Sequence, residues 1–418
     1  MERKNSQQVK INTHCDCDQQ PIVNRVGQRK KSAALLALSS AALLLPALSQ
    51  KSLADTPPEN IKLGYRFSSY QEEPTDAAKT FGPINNGNAS ASVDRYDIDI
   101  NQFRLIIPVM DQYSVTLDLQ AETLSGASPW FTGEVGGQTK LVMSGASIRE
   151  NRDDIGVNFR YYASEGNAGL TLSHSAENDY ISNAFALDGA YNLNEKHTTL
   201  NAGISFSNDE LEPTQGLIPA KITTGNKDSL SLFFGIGQVI NKYSLIQTGL
   251  SYTNLSGYLT DPYKYRDQRP DEKQQWAWTL GYRQFIPSAD AALHADYRFY
   301  HDNWSVNSHT LELAWHQNIK QYFKMVPYAR YYSQEAADFF SNNAKLSEKY
   351  YADDFRLSTY GAVATGLRIE TSYQNWTFLV SGEHYDSDAN YGLYSNNEAS
   401  PGLVSFNLIT FGLDYEFN

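Results

Sequence analysis

The chain has 418 residues, with 34 Lys or Arg against 47 Asp or Glu and two cysteines. Residues 1–54 hold eight of the basic residues, three of the acidic ones and both cysteines, Cys15 and Cys17, so residues 55–418 carry 26 basic and 44 acidic side chains, a formal net of −18. That balance excludes a nucleic-acid partner, which favours a basic surface, and a thiol-free body excludes a disulfide framework, a cysteine nucleophile and a Cys-ligated metal.

Near the start, Arg29, Lys30 and Lys31 precede an apolar run from Ala33 to Leu48, broken by Pro46, and Ser52, Leu53 and Ala54 supply small residues before Asp55. This is the pattern of a cleaved export signal rather than a retained helix. It predicts an N-terminal extension and signal over 1–54, followed by a single domain over 55–418. The "HCDCD" stretch further upstream reads as a translation start set too early, with a metal or redox role as the alternative. Beyond the signal there is no linker rich in Pro, Gly or Ser, and no apolar run long enough for a membrane helix.

From residue 61 onward, segments of alternating apolar and polar residues recur to the end of the chain. They run over 61–70, 94–106, 112–122, 151–162, 167–175, 180–192, 198–207, 228–238, 243–254, 275–285, 291–301, 305–317, 322–333, 358–370, 375–386 and 405–417, sixteen in all. A period of two marks a strand with two unlike faces. Their lengths suit bilayer-spanning strands of about nine to eleven residues better than soluble strands of about five or six. In "SVTLDLQAE" Val115, Leu117, Leu119 and Ala121 face one way and Thr116, Asp118, Gln120 and Glu122 the other. In an outer-membrane barrel the first face meets lipid and the second a lumen.

The connections separate a barrel from a sandwich. Links after the even-numbered segments are short, whereas those after segments 1, 3, 7, 9, 13 and 15 are long, so one end of the fold gathers the long loops. The prediction is an all-β transmembrane antiparallel barrel of about sixteen strands, with short periplasmic turns and long extracellular loops. The last segment, "NLITFGLDYEFN", then becomes the lipid face of a closing strand paired with 61–70. Its aromatic near the end resembles the insertion signal read by the barrel-assembly machinery, with Asn418 after Phe417 as a departure. Trp276, Trp278, Trp315 and Trp376 fit aromatic girdles at the lipid interfaces.

Following the alternation inward gives a charged lumen. Its lining candidates are Arg66, Asp118, Glu122, Arg160, Arg283, His294, Asp296, Arg298, Glu312, Arg330 and Arg368. Such a lining can select ions, or it can be a structural ion-pair network, because buried charges must pair. His294 and Asp296 share a face, with Glu312 a possible neighbour, and are the one candidate for acid/base or metal chemistry. A metal site, however, needs three or four convergent ligands. Ser308 and His309 are adjacent and point to opposite faces, so they make no nucleophilic pair. No residue is assigned a catalytic, cofactor-binding or metal-binding role, and no cofactor is called for.

Two loops stand out. "SGASPWFTGEVGG" at 125–137 puts Pro129, Trp130 and Phe131 in a polar stretch, as a constriction of the lumen or a packing anchor on the rim. "GYLTDPYKYRDQRPDEK" at 257–273 is built to hold one conformation, by loop-to-loop packing or by ligand contact.

"SGASPW", "GYLTDPYKYRDQRP", "LHADYRFYHDNW", "SHTLELAWHQ" and "PYARYYSQEAADFF" resemble, in order and over nearly the whole mature chain, the family named domain of unknown function thirty-five seventy. The resemblance implies a Gram-negative outer-membrane barrel, not an enzyme, exported by its signal peptide and surrounded by outer-membrane lipid. It transfers no catalytic residues. Members often lie beside a small lipoprotein, a flavin transferase and a thioredoxin-like protein, which implies a redox or flavinylated envelope partner. The functional expectation is a channel or export conduit, the alternative a non-conducting scaffold for that partner.

Overall fold

Sixteen strands form the wall: β1 (Lys62–Glu72), β2 (Asp97–Val109), β3 (Tyr113–Val135), β4 (Gln138–Ala163), β5 (Gly166–Ala176), β6 (Tyr180–Leu193), β7 (Thr198–Leu211) and β8 (Gly225–Asn241). They continue with β9 (Ser244–Gly257), β10 (Glu272–Ile286), β11 (Ala291–Asp302), β12 (Asn307–Ile319), β13 (Phe323–Gln334), β14 (Tyr360–Tyr373), β15 (Trp376–Asp388) and β16 (Phe406–Glu416). Each pairs antiparallel with its sequence neighbours. β16 returns to β1, with Leu63 opposite Tyr415, Tyr65 opposite Leu413 and Phe67 opposite Phe411. The sheet is therefore a closed antiparallel barrel, which leaves no free edge between its strands. This computed structural model describes residues 56–80, 91–135, 137–215, 219–394 and 399–418; the export signal and the 1–54 boundary lie outside them.

Alternation dictates the two faces. Along β15, Trp376, Phe378 and Val380 are exposed on the outside while Thr377, Leu379 and Ser381 are half-buried on the inside. The same outward row continues through Phe103, Leu119, Phe159, Leu187, Leu250, Leu311, Leu367 and Phe411. A belt of exposed large apolar side chains around an entire molecule has no counterpart in a water-facing sheet; it is the surface a bilayer covers. Trp376 with Tyr415 (ring centroids 4.5 Å apart) and Tyr113 with Tyr161 (5.2 Å) lie toward one rim of this belt, Trp276 with Tyr252 (4.6 Å) toward the other.

One end carries only tight turns, at 110–112, 164–165, 194–197, 242–243, 287–290, 320–322 and 374–375. Five of the seven place a non-glycine residue in the left-handed region, among them Met110, Asp290, Lys320 and Gln374, as short hairpins demand. The other end carries the long connections. One expectation changes here: 123–150 is not a loop. β3 and β4 run on past the rim, paired with each other out to Val135 and Gln138.

Candidate functional site

Register places the eleven predicted lining residues on a single face, the inner one. Arg66 is level with Gln102, Gln102 with Gln120 and Gln120 with Asp154, and the same parity carries round through Arg283, His294 and Ala314. Neighbouring strands bring opposite charges together: Arg66–Asp414 at 2.5 Å, Arg104–Asp118 at 2.6 Å, Arg160–Asp188 and Arg283–Asp296 at 2.7 Å, and Arg330–Glu312 at 2.8 Å. Arg152 lies 3.8 Å from Glu122 and 3.0 Å from Asp154, and Arg368 lies 3.0 Å from Glu370.

The charges are unevenly spread. With β3 taken to Leu124 and β4 from Glu150, the inner faces of β3 to β7 hold six carboxylates and two guanidiniums, whereas those of β8 to β14 hold seven cations and four carboxylates. The lumen is thus acidic on one wall and basic on the other.

Glu312 stands opposite Asp296 in the β11–β12 register, as expected, but these two and His294 do not form one group. His294 packs on His316 with ring centroids 3.9 Å apart, while Asp296 is held by Arg283 and Glu312 by Arg330. Ser308 is buried inside, whereas His309 contacts the hydroxyls of Tyr297 (2.7 Å) and Tyr394 (3.0 Å). Among the described residues, the group of three metal-capable ligands that does converge is Glu150, Glu177 and Asp179, at the loop end, with oxygens within 4.8 Å of one another. Burial pushes the Glu177 carboxyl up to about 8, against the pull of Arg152. These residues stand far apart in sequence and carry no motif, so only the fold brings them together.

Above the loop-end rim lies a cap. The Trp130 and Phe131 rings pack on Tyr265 with centroids 6.2 and 5.8 Å away, and the Arg266 guanidinium lies 5.6 Å over Phe131. Arg266 Nη1 donates to the Thr132 carbonyl at 3.1 Å, and the Thr132 N–H donates to Asp353 Oδ2 at 2.7 Å. The hairpin is rooted on β3 and β4, whereas its partners sit in the β9–β10 and β13–β14 connections, six strands round a sixteen-strand ring in either direction. Contact between elements rooted that far apart means that together they cross the mouth.

A buried ion-pair knot ties those partner loops together. Asp354 takes Arg356 at 2.5 Å, Arg269 at 2.8 Å and Lys264 at 3.2 Å, while Arg269 also holds Asp267 at 2.7 Å. Burial would raise Asp354, but Arg356, Lys264 and Arg269 together hold its carboxyl well below the usual range. Asp353, next to it, goes the other way: burial, with Asp267 and Asp354 nearby, pushes it up to about 7 despite the Thr132 N–H. Trp304, Val306, Ala337, Ala352 and Leu357 form an apolar cluster beneath the same loops. The Arg95 guanidinium, paired with Glu72 at 2.7 Å, lies 5.6 Å over Phe355 and fastens the β1–β2 connection to the cap. "GYLTDPYKYRDQRPDEK" is thus a packing loop, and Trp130 and Phe131 are its contacts on the hairpin.

No curated relative matches the sequence. Among solved structures, the siderophore receptor PirA from Pseudomonas aeruginosa is similar at 10% identity and a TM-score of 0.44, over 85% of this chain and 62% of that one; this chain thus spans under two thirds of the receptor's length. The outer membrane channel DcaP of Acinetobacter baumannii matches at 11% identity and a TM-score of 0.40, over 87% of this chain and 100% of its own. Pseudomonas aeruginosa OccD3 (OpdP) matches at 9% identity and 0.41, over 91% and 98%. Over residues 35–408 the chain matches, and belongs to, the family described as Protein of unknown function (DUF3570).

Proposed function

We propose that this protein is an outer-membrane channel or export conduit whose extracellular mouth is closed by the β3–β4 hairpin. The observation that carries the reading is the crossing of the mouth: a strand pair continuous with the wall reaches two loops six strands away and is held there by aromatic packing and by the Asp353 hydrogen bond. A wall that merely filled its own lumen needs no such lid. The apolar belt places the barrel in a bilayer, and the turn end faces the periplasm, from which barrels insert. The eleven lining residues select what passes, and Pro129, Trp130 and Phe131 form the closing element. Outer-membrane lipid and the assembly machinery are its partners in the membrane.

The test is single-channel conductance of the refolded 55–418 chain in a planar bilayer. Deleting 127–147 removes the lid, and we predict discrete, larger and more frequent openings than the intact chain gives. Because residues 55–418 contain no cysteine, a Phe131→Cys, Tyr265→Cys pair reports cleanly. Oxidation should silence the channel and reduction restore it. Silence from the lid-deleted barrel, shown to be folded, would sink the conduit reading.

Such silence would favour a second reading, a non-conducting scaffold for an envelope redox protein or small lipoprotein. Its support is the inner wall itself, where nearly every cation is locked to a neighbouring carboxylate, as a structural filling requires. Nothing in the geometry supports catalysis at His294, because its two prospective partners are engaged by arginines.

A further inference from the structure

Twelve Lys and Arg side chains lie on the inner faces of the strands, with β3 counted to Leu124 and β4 from Glu150. Eleven have a carboxylate within 4.0 Å; among the described residues Arg298 has none. Its cross-strand neighbours are Thr279 and Thr310, its Nε is buried with no hydrogen-bond acceptor, and its guanidinium lies 5.3 Å over the Tyr300 ring. A guanidinium taken out of bulk water without a counter-charge is costly. Among the twelve it is the cation with no carboxylate from the described residues beside it.

What lies beside it suggests a ligand for it. Near the outer rim, just below the cap, the inner face carries Tyr300 on β11, Tyr332 on β13, Tyr360 on β14, Tyr385 on β15, Phe406 on β16 and Tyr70 on β1. The rings form a near-continuous series: Tyr332–Tyr360 centroids are 5.6 Å apart, Tyr385–Phe406 4.6 Å and Tyr70–Phe406 4.6 Å. Three of the tyrosines are fixed by donating their hydroxyl to the residue two further along the strand or connection: Tyr300 to Asp302 at 2.7 Å, Tyr332 to Gln334 at 2.6 Å and Tyr70 to Glu72 at 2.8 Å. All six side chains are half-buried on the inner face.

We propose that this arc is a binding wall for an acidic oligosaccharide, with one uronate carboxylate seated on Arg298 and successive sugar rings stacked along the tyrosines. Pockets for such ligands combine aromatic faces with a few fixed polar groups, and an arginine fork receives a carboxylate in two parallel hydrogen bonds. Length decides between a chain and a small aromatic acid: from β11 to β1 is six strand steps at roughly 4.8 Å each, so the arc spans about 29 Å, more than one aromatic ring can use. Charge agrees over the half of the arc that holds Arg298, Tyr300, Tyr332 and Tyr360, which lies on the basic β8–β14 wall, where a chain carrying −18 overall repels a polyanion least.

The inference deepens the conduit reading by naming a cargo, but its test does not require conduction. Tetragalacturonate, the uncharged maltotetraose and benzoate are titrated calorimetrically into the intact 55–418 barrel in detergent and into its lid-deleted form, at low and high salt. Expected is binding of tetragalacturonate to the lid-deleted barrel, weakened at least tenfold by Arg298→Gln, less by Arg298→Lys, and at least tenfold by Tyr332→Leu with Tyr385→Leu. Heat-modified gel mobility checks that each variant is folded. Maltotetraose should bind more weakly and be indifferent to Arg298→Gln. Tetragalacturonate affinity unchanged in Arg298→Gln, no binding of it at all, or benzoate binding as tightly would each overturn the proposal. A barrel that conducts without binding tetragalacturonate overturns this inference alone, and one that binds without conducting overturns only the conduit.

Discussion

Asp354 and Asp353 are sequence neighbours in one buried knot, yet they respond oppositely to it, because only Asp354 is surrounded by three cations. Removing one partner of such a buried set leaves uncompensated charge and costs about 3–5 kcal/mol, so Asp354 fixes where the loops lie. Asp353 is the adjustable member. It receives the Thr132 N–H from the hairpin and faces Lys264, Asp267 and Asp354 from the loops. Its folded value of about 7 is raised above that of a free carboxyl, so its contribution to stability is complete below about 4 and is lost as pH rises through 7. Glu177, raised to about 8, acts in the same sense over a slightly higher window. We therefore predict that the cap loosens between about pH 5 and 8, read as faster protease cleavage of the hairpin tip at pH 8 than at pH 5.5 once the protease's own pH dependence is divided out. Asp353→Asn should remove the part of the change that ends near 7 and Glu177→Gln the part that runs on to 8. A cap that tightens with rising pH would contradict the assignment.

At the scale of elements, what could be read from sequence follows from how local the signal is. A ten-residue alternation such as Val115 to Glu122 contains both its strand and its two faces, and all sixteen strands are legible for that reason. The hairpin is not, because its register shifts between Ala127 and Pro129 and again between Pro129 and Phe131; each shift breaks the period of two that the eye follows. The knot is hidden differently: Arg269 and Asp354 are 85 residues apart and meet only through tertiary packing. The missing partner of Arg298 is likewise a fact of register, visible only once Thr279 and Thr310 are known to flank it. The faces themselves support a sharp test on one strand. Leu250 lies midway along β9 on the outside and Gln247 on the inside. Leu250→Arg puts a charge near the bilayer midplane and should cost about 2–4 kcal/mol, measured by guanidinium unfolding from lipid vesicles. Gln247→Arg should leave stability near that of the unaltered chain. Equal effects would mean that the belt is not facing lipid.

For the whole molecule the decisive event is closure, because any lumen, and any lid over it, exists only once β16 meets β1. The seam is built around two glycines whose missing side chains make room for one ion pair. A Cβ on Gly412 would lie 2.6 Å from Arg66 Cδ, and one on Gly64 would lie 2.7 Å from Asp414 Oδ1. Arg66 therefore lies flat across the seam and reaches Asp414 at 2.5 Å. The pair is partly exposed and contributes little stability by itself; its importance is that the space is reserved for it. Gly412→Val should force Arg66 off the wall and cost about 1–3 kcal/mol by overpacking, concentrated at the one pairing that joins the chain's two ends. We predict a reduced fraction of compact, heat-modifiable barrel on refolding. Gly382→Val, at a position with nothing within 4 Å of the added Cβ, serves as the control and should refold normally. Adding Arg66→Ala to Gly412→Val removes the colliding side chain and should recover most of the loss, since contacting residues couple strongly. Failure of that rescue would show that the backbone at Gly412, and not the reserved space, governs how the barrel shuts.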